Sequence, residues 1–334
     1  MNPLVQSFYH MQVLRETISL IPTYDSTPSQ SLECALQQLF MQLESSGATA
    51  NTHDLTCALR KCGIEVSGLQ GVREFYSAVR EELTGAMVNT AAVGAIETLF
   101  SGRKRTSVVY PDTSYTASNT EDFCDITINV NDFGSLYEGL VDICKRRPLA
   151  SDEDVGSAHD ETNGAYQRTA FDLFPPVLHI HLDRFHHDPG SKDTVESRKK
   201  FNYPGSIDLA EFLTDSSGHP GTSQYALYGA YFSGMTALEE STSYCYLSPE
   251  SPSKWVCFKD NLVYPVAEPD VFCYDHERCP IPVCSERHVS QASPAEDVHM
   301  LVYIRCDMRD LVLNSDNIWA LNEMLSYERE KVDE

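Results

Sequence analysis

The chain has 334 residues, 42% of them hydrophobic and 22% charged, with 49 acidic against 25 basic side chains and a formal net charge of −24. A chain of this length buries a substantial core, as one large two-lobed domain or as two domains. The excess of acid repels nucleic acid and anionic membrane surfaces and favours basic partners.

Leu4, Phe8, Met11 and Leu14 recur at helical spacing, and Pro22 ends that element. A second amphipathic segment, Cys34-Ala35-Leu36-Gln37-Gln38-Leu39-Phe40-Met41-Gln42-Leu43, closes near Ser45-Ser46-Gly47, and a third begins at Val72-Arg73-Glu74-Phe75-Tyr76. The character then changes. Ser107-Val108-Val109-Tyr110 and Asp125-Ile126-Thr127-Ile128-Asn129-Val130 read as strands, the second alternating as a half-buried strand does. Residues 147–170 are acidic, polar and glycine-containing, and predict a flexible hairpin tip or loop.

The clearest strand follows Pro175-Pro176. In Val177-Leu178-His179-Ile180-His181-Leu182-Asp183-Arg184-Phe185, the odd positions share one face and the even positions the other, with Leu178, Ile180 and Leu182 as core. Further strands are predicted over 225–232, 243–247, 255–258 and 300–304, and a helix over about 318–331 closes the chain. Helices first and strands later predict an α+β architecture with segregated layers, not a doubly wound sheet.

Eleven cysteines, an odd number with no repeated spacing, point to reduced thiols in the cytosol or nucleus. The first residues lack a basic stretch followed by an apolar run, so no signal peptide is expected, and no apolar run is long enough to span a membrane.

Four stretches, in order, carry a resemblance to the ubiquitin-specific proteases. Met1-Asn2-Pro3-Leu4-Val5-Gln6-Ser7-Phe8 resembles the helix after the nucleophile in G-N-T-C-Y-M-N-S-L-L-Q-x-L-F. Gly68-Leu69-Gln70-Gly71-Val72-Arg73-Glu74-Phe75 resembles Q-H-D-x-Q-E-F/L, and the segment from Phe174 to Phe185 resembles L-P-P-V-L-x-x-x-L-x-R-F. Tyr244-Cys245-Tyr246-Leu247-Ser248-Pro249 with Lys254-Trp255-Val256-Cys257-Phe258-Lys259-Asp260-Asn261-Leu262-Val263 resembles G-G-H-Y-x-x-Y-x-x-P…W-x-x-F-D-D-x-x-V. Segments 120–126 and 300–305 are similar to the herpesvirus-associated branch of that family.

The resemblance implies a papain-like fold with a helical thumb over about 1–100, fingers over about 101–175 and a β-rich palm over about 176–310, followed by a helical extension over 311–334. It implies that ubiquitin rests on the fingers and runs its Arg-Leu-Arg-Gly-Gly tail between thumb and palm, with no cofactor. It also implies a defective triad. A cysteine protease needs a thiolate, an imidazole base and a group that orients the imidazole. The family nucleophile lies two residues before the methionine matching Met1, outside this sequence. The family histidine falls on Thr242, and no histidine occurs between His219 and His276. A threonine hydroxyl cannot serve as general base for a thiol. The orienting acid falls on Lys259, of the wrong sign to face an imidazolium, while the neighbouring Asp260 belongs to the opposite face of a strand.

Binding positions are better matched. Glu74, His179, His181, Asp183 and Phe185 align with positions that meet the ubiquitin tail, and Asp183 is suited to pair with a tail arginine. Gly71 stands for the usual aspartate and Arg73 for the usual glutamine, changes expected to weaken tail binding by about 1–3 kcal/mol. The expectation is a pseudo-deubiquitinase that binds ubiquitin or ubiquitinated proteins weakly. The alternatives are an active cysteine deubiquitinase with its nucleophile upstream of Met1, and a scaffold without ubiquitin binding. One cluster lies outside the resemblance: Cys273, His276, Cys279, Cys284 and His288, in which Cys279, Cys284 and His288 have spacings zinc uses. Without a paired C-x2-C motif, reduced thiols in a loop are expected there rather than a metal.

Overall fold

A computed structural model describes residues 2–45, 50–64, 72–110, 115–148, 165–187, 194–214, 223–235, 241–259, 262–271, 298–315, 317–321, 323 and 325. Leu4, Phe8, Met11 and Leu14 are all buried, as their spacing predicts, but they sit on two helices: α1 (Asn2–His10) and α2 (Gln12–Ser19). Met11 separates them in an extended conformation. Helices α3 (Leu32–Ser45), α4 (His53–Lys61), α5 (Val72–Met87) and α6 (Ala95–Phe100) complete the helical layer, each burying its apolar stripe.

The chain then forms two sheets of different character. A four-stranded sheet, in the order β2-β1-β5-β4, joins β1 (Gly102–Tyr110), β2 (Tyr115–Phe123), β4 (Arg147–Pro148) and β5 (Tyr166–Leu173). The loop expected over 147–170 is therefore strand at both ends; residues 149–164 lie outside the described ones. Strand β2 has no apolar pattern and is held by its partner. Lys104 pairs with Glu121 at 2.9 Å and Arg103 with Asp122 at 3.4 Å across the β1–β2 ladder. Arg105 pairs with Asp172 at 3.0 Å, and the Thr214 hydroxyl donates to the same carboxylate at 2.7 Å, which ties this sheet to the rest of the molecule.

The larger sheet has eight strands. Its path runs β13 (Leu262–Val266), β12 (Trp255–Lys259), β11 (Ser241–Leu247), β10 (Gln224–Met235), β14 (Val298–Arg305), β6 (Val177–Asp183) and β3 (Ile126–Asn129); β9 (Ser206–Asp208) pairs with the start of β10. β3 and helix α7 (Leu136–Ile143) thus belong to the palm, although their sequence lies within the range expected for the fingers. Helix α7 packs closely on β3, since a Cβ at Gly139 would stand 2.6 Å from Ile128. The central strands are buried on both faces. One face packs on the thumb helices through Tyr228, Tyr231, Leu247, Met300 and Val302, and the other packs on a second core around Leu136, Phe174, Leu178 and Phe201. Within the expected extension over 311–334, Leu313, Ile318, Leu321 and Leu325 pack into the thumb core. No helix among the described residues is long and apolar enough to cross a membrane.

Candidate functional site

Helix α1 lies against β11 and β12. The Tyr228 hydroxyl donates to the Ser7 carbonyl at 2.9 Å, the Cys245 thiol donates to the Pro3 carbonyl at 3.7 Å, and the His10 ring lies 5.4 Å from that of Phe258. Cys245 and Phe258 are direct cross-strand partners and form the face that meets α1. One residue out of phase, Lys259 pairs with Tyr244 and sets its ammonium 5.6 Å from that ring. Position 242, opposite Gly234, lies two residues from Tyr244. Positions 242 and 259 are therefore diagonal neighbours across the β11–β12 ladder. The side chain of Thr242 and all of Asp260 lie outside the described residues.

Among the described residues the His10 imidazole lies against this corner, and the motifs gave no reason to select it. Burial, then the nearby Arg15 charge, lowers its pKa to about 4. It sits at the far end of α1, about 12 Å along the axis from Asn2, too far to serve a nucleophile at the helix start. The nearby thiols are unsuited to nucleophilic work. Burial pushes the Cys245 thiol well above its ordinary range, and it raises Cys257 as well. All eight described cysteines are free.

The second part of the site lies at α5 and β6. Sequence alternation put Val177, His179, His181, Asp183 and Phe185 on one face, which the resemblance made a tail-contacting one, and the structure differs in two ways. First, His179 and His181 are buried, not solvated. Tyr76 stacks on His179 with ring centroids 4.2 Å apart and lies 5.8 Å from His181, while Phe100 meets His179 edge-on. Burial, followed by His181 and Arg80, holds His179 well below the ordinary histidine range; burial, followed by Arg73, lowers His181 to about 3. Both rings are neutral near pH 7.

Second, the strand does not run on to Phe185. It ends at Asp183, because Arg184 turns inward and donates to the carbonyls of Val298 at 2.6 Å, Ser197 at 3.2 Å and Lys199 at 2.8 Å. Phe185 opens a separate hairpin, β7 (Phe185–His187) with β8 (Thr194–Glu196). Asp183 stays exposed and accepts the Phe185 N–H at 3.1 Å, and Phe185 is also exposed. Glu74 is exposed in the first turn of α5, and beside it Arg73 reaches Asp125 at 3.4 Å.

Motif comparison missed a further pair: His299, on β14, lies 2.8 Å from the Glu196 carboxylate and 6.2 Å from the Phe185 ring. Its hydrogen bond holds the Glu196 carboxyl below the usual range. Glu74, Asp183 and Glu196 thus present carboxylates on α5, β6 and the hairpin, with two uncharged histidines packed beneath Tyr76. Such carboxylates suit a cationic extended peptide. Among the described residues no group of three or more His, Cys, Asp or Glu side chains could hold a metal ion, and Cys279, Cys284 and His288 lie outside them.

Comparison with known proteins accounts for this architecture. The ubiquitin carboxyl-terminal hydrolase family model matches residues 1–303. The chain is 26% identical over 314 residues to ubiquitin carboxyl-terminal hydrolase 15 of Schizosaccharomyces pombe and 25% identical over 314 residues to ubiquitin carboxyl-terminal hydrolase 7 of Drosophila melanogaster. Each match covers 94% of this chain, but the chain spans only 28% and 27% of those relatives' lengths. Among solved structures, a chain of the SAGA DUB module of Ubp8, Sgf11, Sus1 and Sgf73 bound to monoubiquitin matches with a TM-score of 0.71 and 18% identity, covering 91% of this chain and 66% of that one. The α+β fold is thus that of the ubiquitin-specific-protease catalytic domains, and the chain belongs to the ubiquitin carboxyl-terminal hydrolase family, among the ubiquitin-specific proteases.

Proposed function

We propose that this chain is a ubiquitin-binding pseudo-deubiquitinase: it keeps the fold and part of the tail-contacting surface and lacks the groups for hydrolysis. Lys259 carries the proposal. Motif alignment puts it at the family's orienting-acid position; on its strand it lies diagonal to position 242, with its ammonium beside Tyr244. A cation there opposes formation of an imidazolium, and Thr242 supplies no imidazole. The nucleophile position precedes Met1 and carries no weight. Segments 120–126 and 300–305 support the herpesvirus-associated branch of the family, and the cysteine usage supports a reducing compartment, cytosol or nucleus.

Glu74, Asp183 and Phe185 remain exposed for tail contact, with His179 and His181 beneath them as packing. Arg73 opposes a cationic tail, so the expected ubiquitin affinity is weak, roughly tens to hundreds of micromolar. Family membership supports a second reading, an active cysteine deubiquitinase whose nucleophile lies N-terminal to Met1.

Turnover of a ubiquitin tail amide separates the two. A Gly-Asn-Thr-Cys-Tyr graft before Met1 is expected to give no appreciable turnover, and adding Thr242→His with Lys259→Asp is expected to raise it non-additively. Turnover by the graft alone, unchanged by Thr242→Ala, establishes the active reading instead. Ubiquitin titration by calorimetry tests the binding half: Asp183→Arg is expected to abolish the signal. No binding by the unaltered chain leaves a scaffold that has lost ubiquitin.

A further inference from the structure

Asp125 stands at the foot of β3, and its carboxylate has spare capacity. Its side chain is 15% exposed, and among the described residues its one hydrogen-bond or ion-pair partner is Arg73, which donates to a single carboxylate oxygen at 3.4 Å. An ionised carboxylate has about four acceptor sites and fits the paired N–H groups of a guanidinium. Arg73 is 51% exposed and comes from the first turn of α5, so the contact joins thumb to palm across their seam. It heads a stripe on α5. Arg73, Tyr76 and Arg80 share one face at i, i+3 and i+7, and Tyr76 stacks on His179 of β6, the strand that β3 pairs with. The Arg73 charge is also felt at His181 on the same strand. Two exposed carboxylates are close by in the fold: Glu74 is the next residue of α5, and Asp183 lies two residues beyond His181 on β6.

We propose that Arg73 is an internal competitor for a guanidinium site at Asp125: it occupies the carboxylate that an arginine of a cationic extended peptide takes when bound, and so weakens binding of that peptide. The inference rests on the binding half of the proposed function, to which it adds an acceptor and the group that restrains it. Arg73 makes one long bond from a half-exposed side chain, and such a pair is weak. An incoming arginine that makes two parallel bonds to the covered carboxylate displaces it. The competitor therefore attenuates binding and does not close the seam. Plain repulsion between Arg73 and a cationic ligand is a different effect, because it does not depend on Asp125.

The test is a double-mutant cycle on the 334-residue chain, read as ubiquitin affinity by calorimetric titration. Arg73→Gln is expected to tighten binding by about three- to tenfold. Asp125→Asn should cost less affinity in the wild-type background than in the Arg73→Gln background, and the double variant should lose the gain. Additive effects overturn the proposal. A double variant that keeps the whole gain leaves Arg73 as a source of repulsion alone, and an equal loss from Asp125→Asn in both backgrounds shows that Arg73 does not occupy the carboxylate. Ubiquitin binding that Arg73→Gln leaves unchanged overturns the competitor while the binding reading stands. No binding by any of the four proteins overturns both.

Discussion

The thumb meets the palm sheet in two places that are built differently. Where α1 lies on β10–β12, two hydrogen bonds reach its backbone, from the Tyr228 hydroxyl to the Ser7 carbonyl and from the Cys245 thiol to the Pro3 carbonyl, while the Ser7 and Tyr231 hydroxyls are buried without a hydrogen-bond partner among the described residues. Where α5 and α6 lie on β6, rings meet rings. Tyr76 and Phe100 clamp His179, and neither ring nitrogen of His179 or His181 has a hydrogen-bond partner among the described residues. The first contact is a hydrogen-bonded joint beside Lys259 and position 242, on which the proposed loss of the triad rests. The second is an aromatic joint beneath carboxylates suited to binding. The proposed loss of the triad is compatible with retention of the fold, because the groups that dock α1 are not the ones a triad requires.

Removing the central ring of the second joint has the largest expected effect. Tyr76→Ala deletes a fully buried aromatic side chain and should cost about 3–5 kcal/mol, read as a lowered midpoint in chemical denaturation. A shift below about 1 kcal/mol would mean that the seam is loosely packed.

Acid should then distinguish the two joints. His179 and His181 are uncharged in the fold, with His181 lowered to about 3, whereas in the unfolded chain they titrate near an ordinary pKa of about 6.5. The native state binds fewer protons, so the stability they allow is present above about pH 6.5 and is lost as pH falls from there toward 3. His10, lowered to about 4, acts in the same direction. The melting temperature should drop between about pH 7 and 5, and His181→Gln should flatten that slope more than His10→Gln does. Parallel profiles for the wild type and His181→Gln count against a neutral histidine joint.

The smallest effect is expected at the rim. Arg73 is 51% exposed, and its pair with Asp125 is long, so Arg73→Gln should change stability by less than about 0.5 kcal/mol. The same substitution should raise ubiquitin affinity several-fold, as a cation leaves the path of a cationic tail. An unchanged dissociation constant moves the tail away from the first turn of α5.

Most of the architecture was legible because its strands are apolar and its first helices amphipathic. The strand beginning at Val177 and the buried quartet Leu4, Phe8, Met11 and Leu14 follow directly from periodicity. What was missed has physical reasons. β2 is polar throughout, and it is a strand because β1 pairs with it, a contact no local pattern encodes. Helix α7 did leave a signal: Ser135 accepts the Glu138 N–H while the Glu138 carboxylate accepts the Gly134 N–H, a reciprocal cap readable as Ser-x-x-Glu. At the site, the motif places Glu74 and Asp183 on the surface, but alternation alone cannot show that Tyr76, about a hundred residues earlier, covers the histidines of the same strand. Nor can it show that Arg184 turns inward to find a carbonyl 114 residues away. His299 and Glu196, also distant in sequence, meet only because β14 runs beside β6.

The composition of the thumb core has a consequence for biosynthesis. Leu4, Phe40, Leu83 and Phe100 share one cluster with Tyr228, Met300, Ile318 and Leu325. A nascent chain that has reached residue 100 therefore holds helices that pack on one another but lack the sheet and C-terminal residues that complete their core. At about 5–20 residues per second, the missing pieces follow on the order of 10–45 s later. Through that interval the apolar stripes of α1 to α6 need shielding by the ribosome surface or by chaperones. The thumb core is incomplete until those residues arrive. Its last ring of contacts closes only when the final strand and the helices after it have been made.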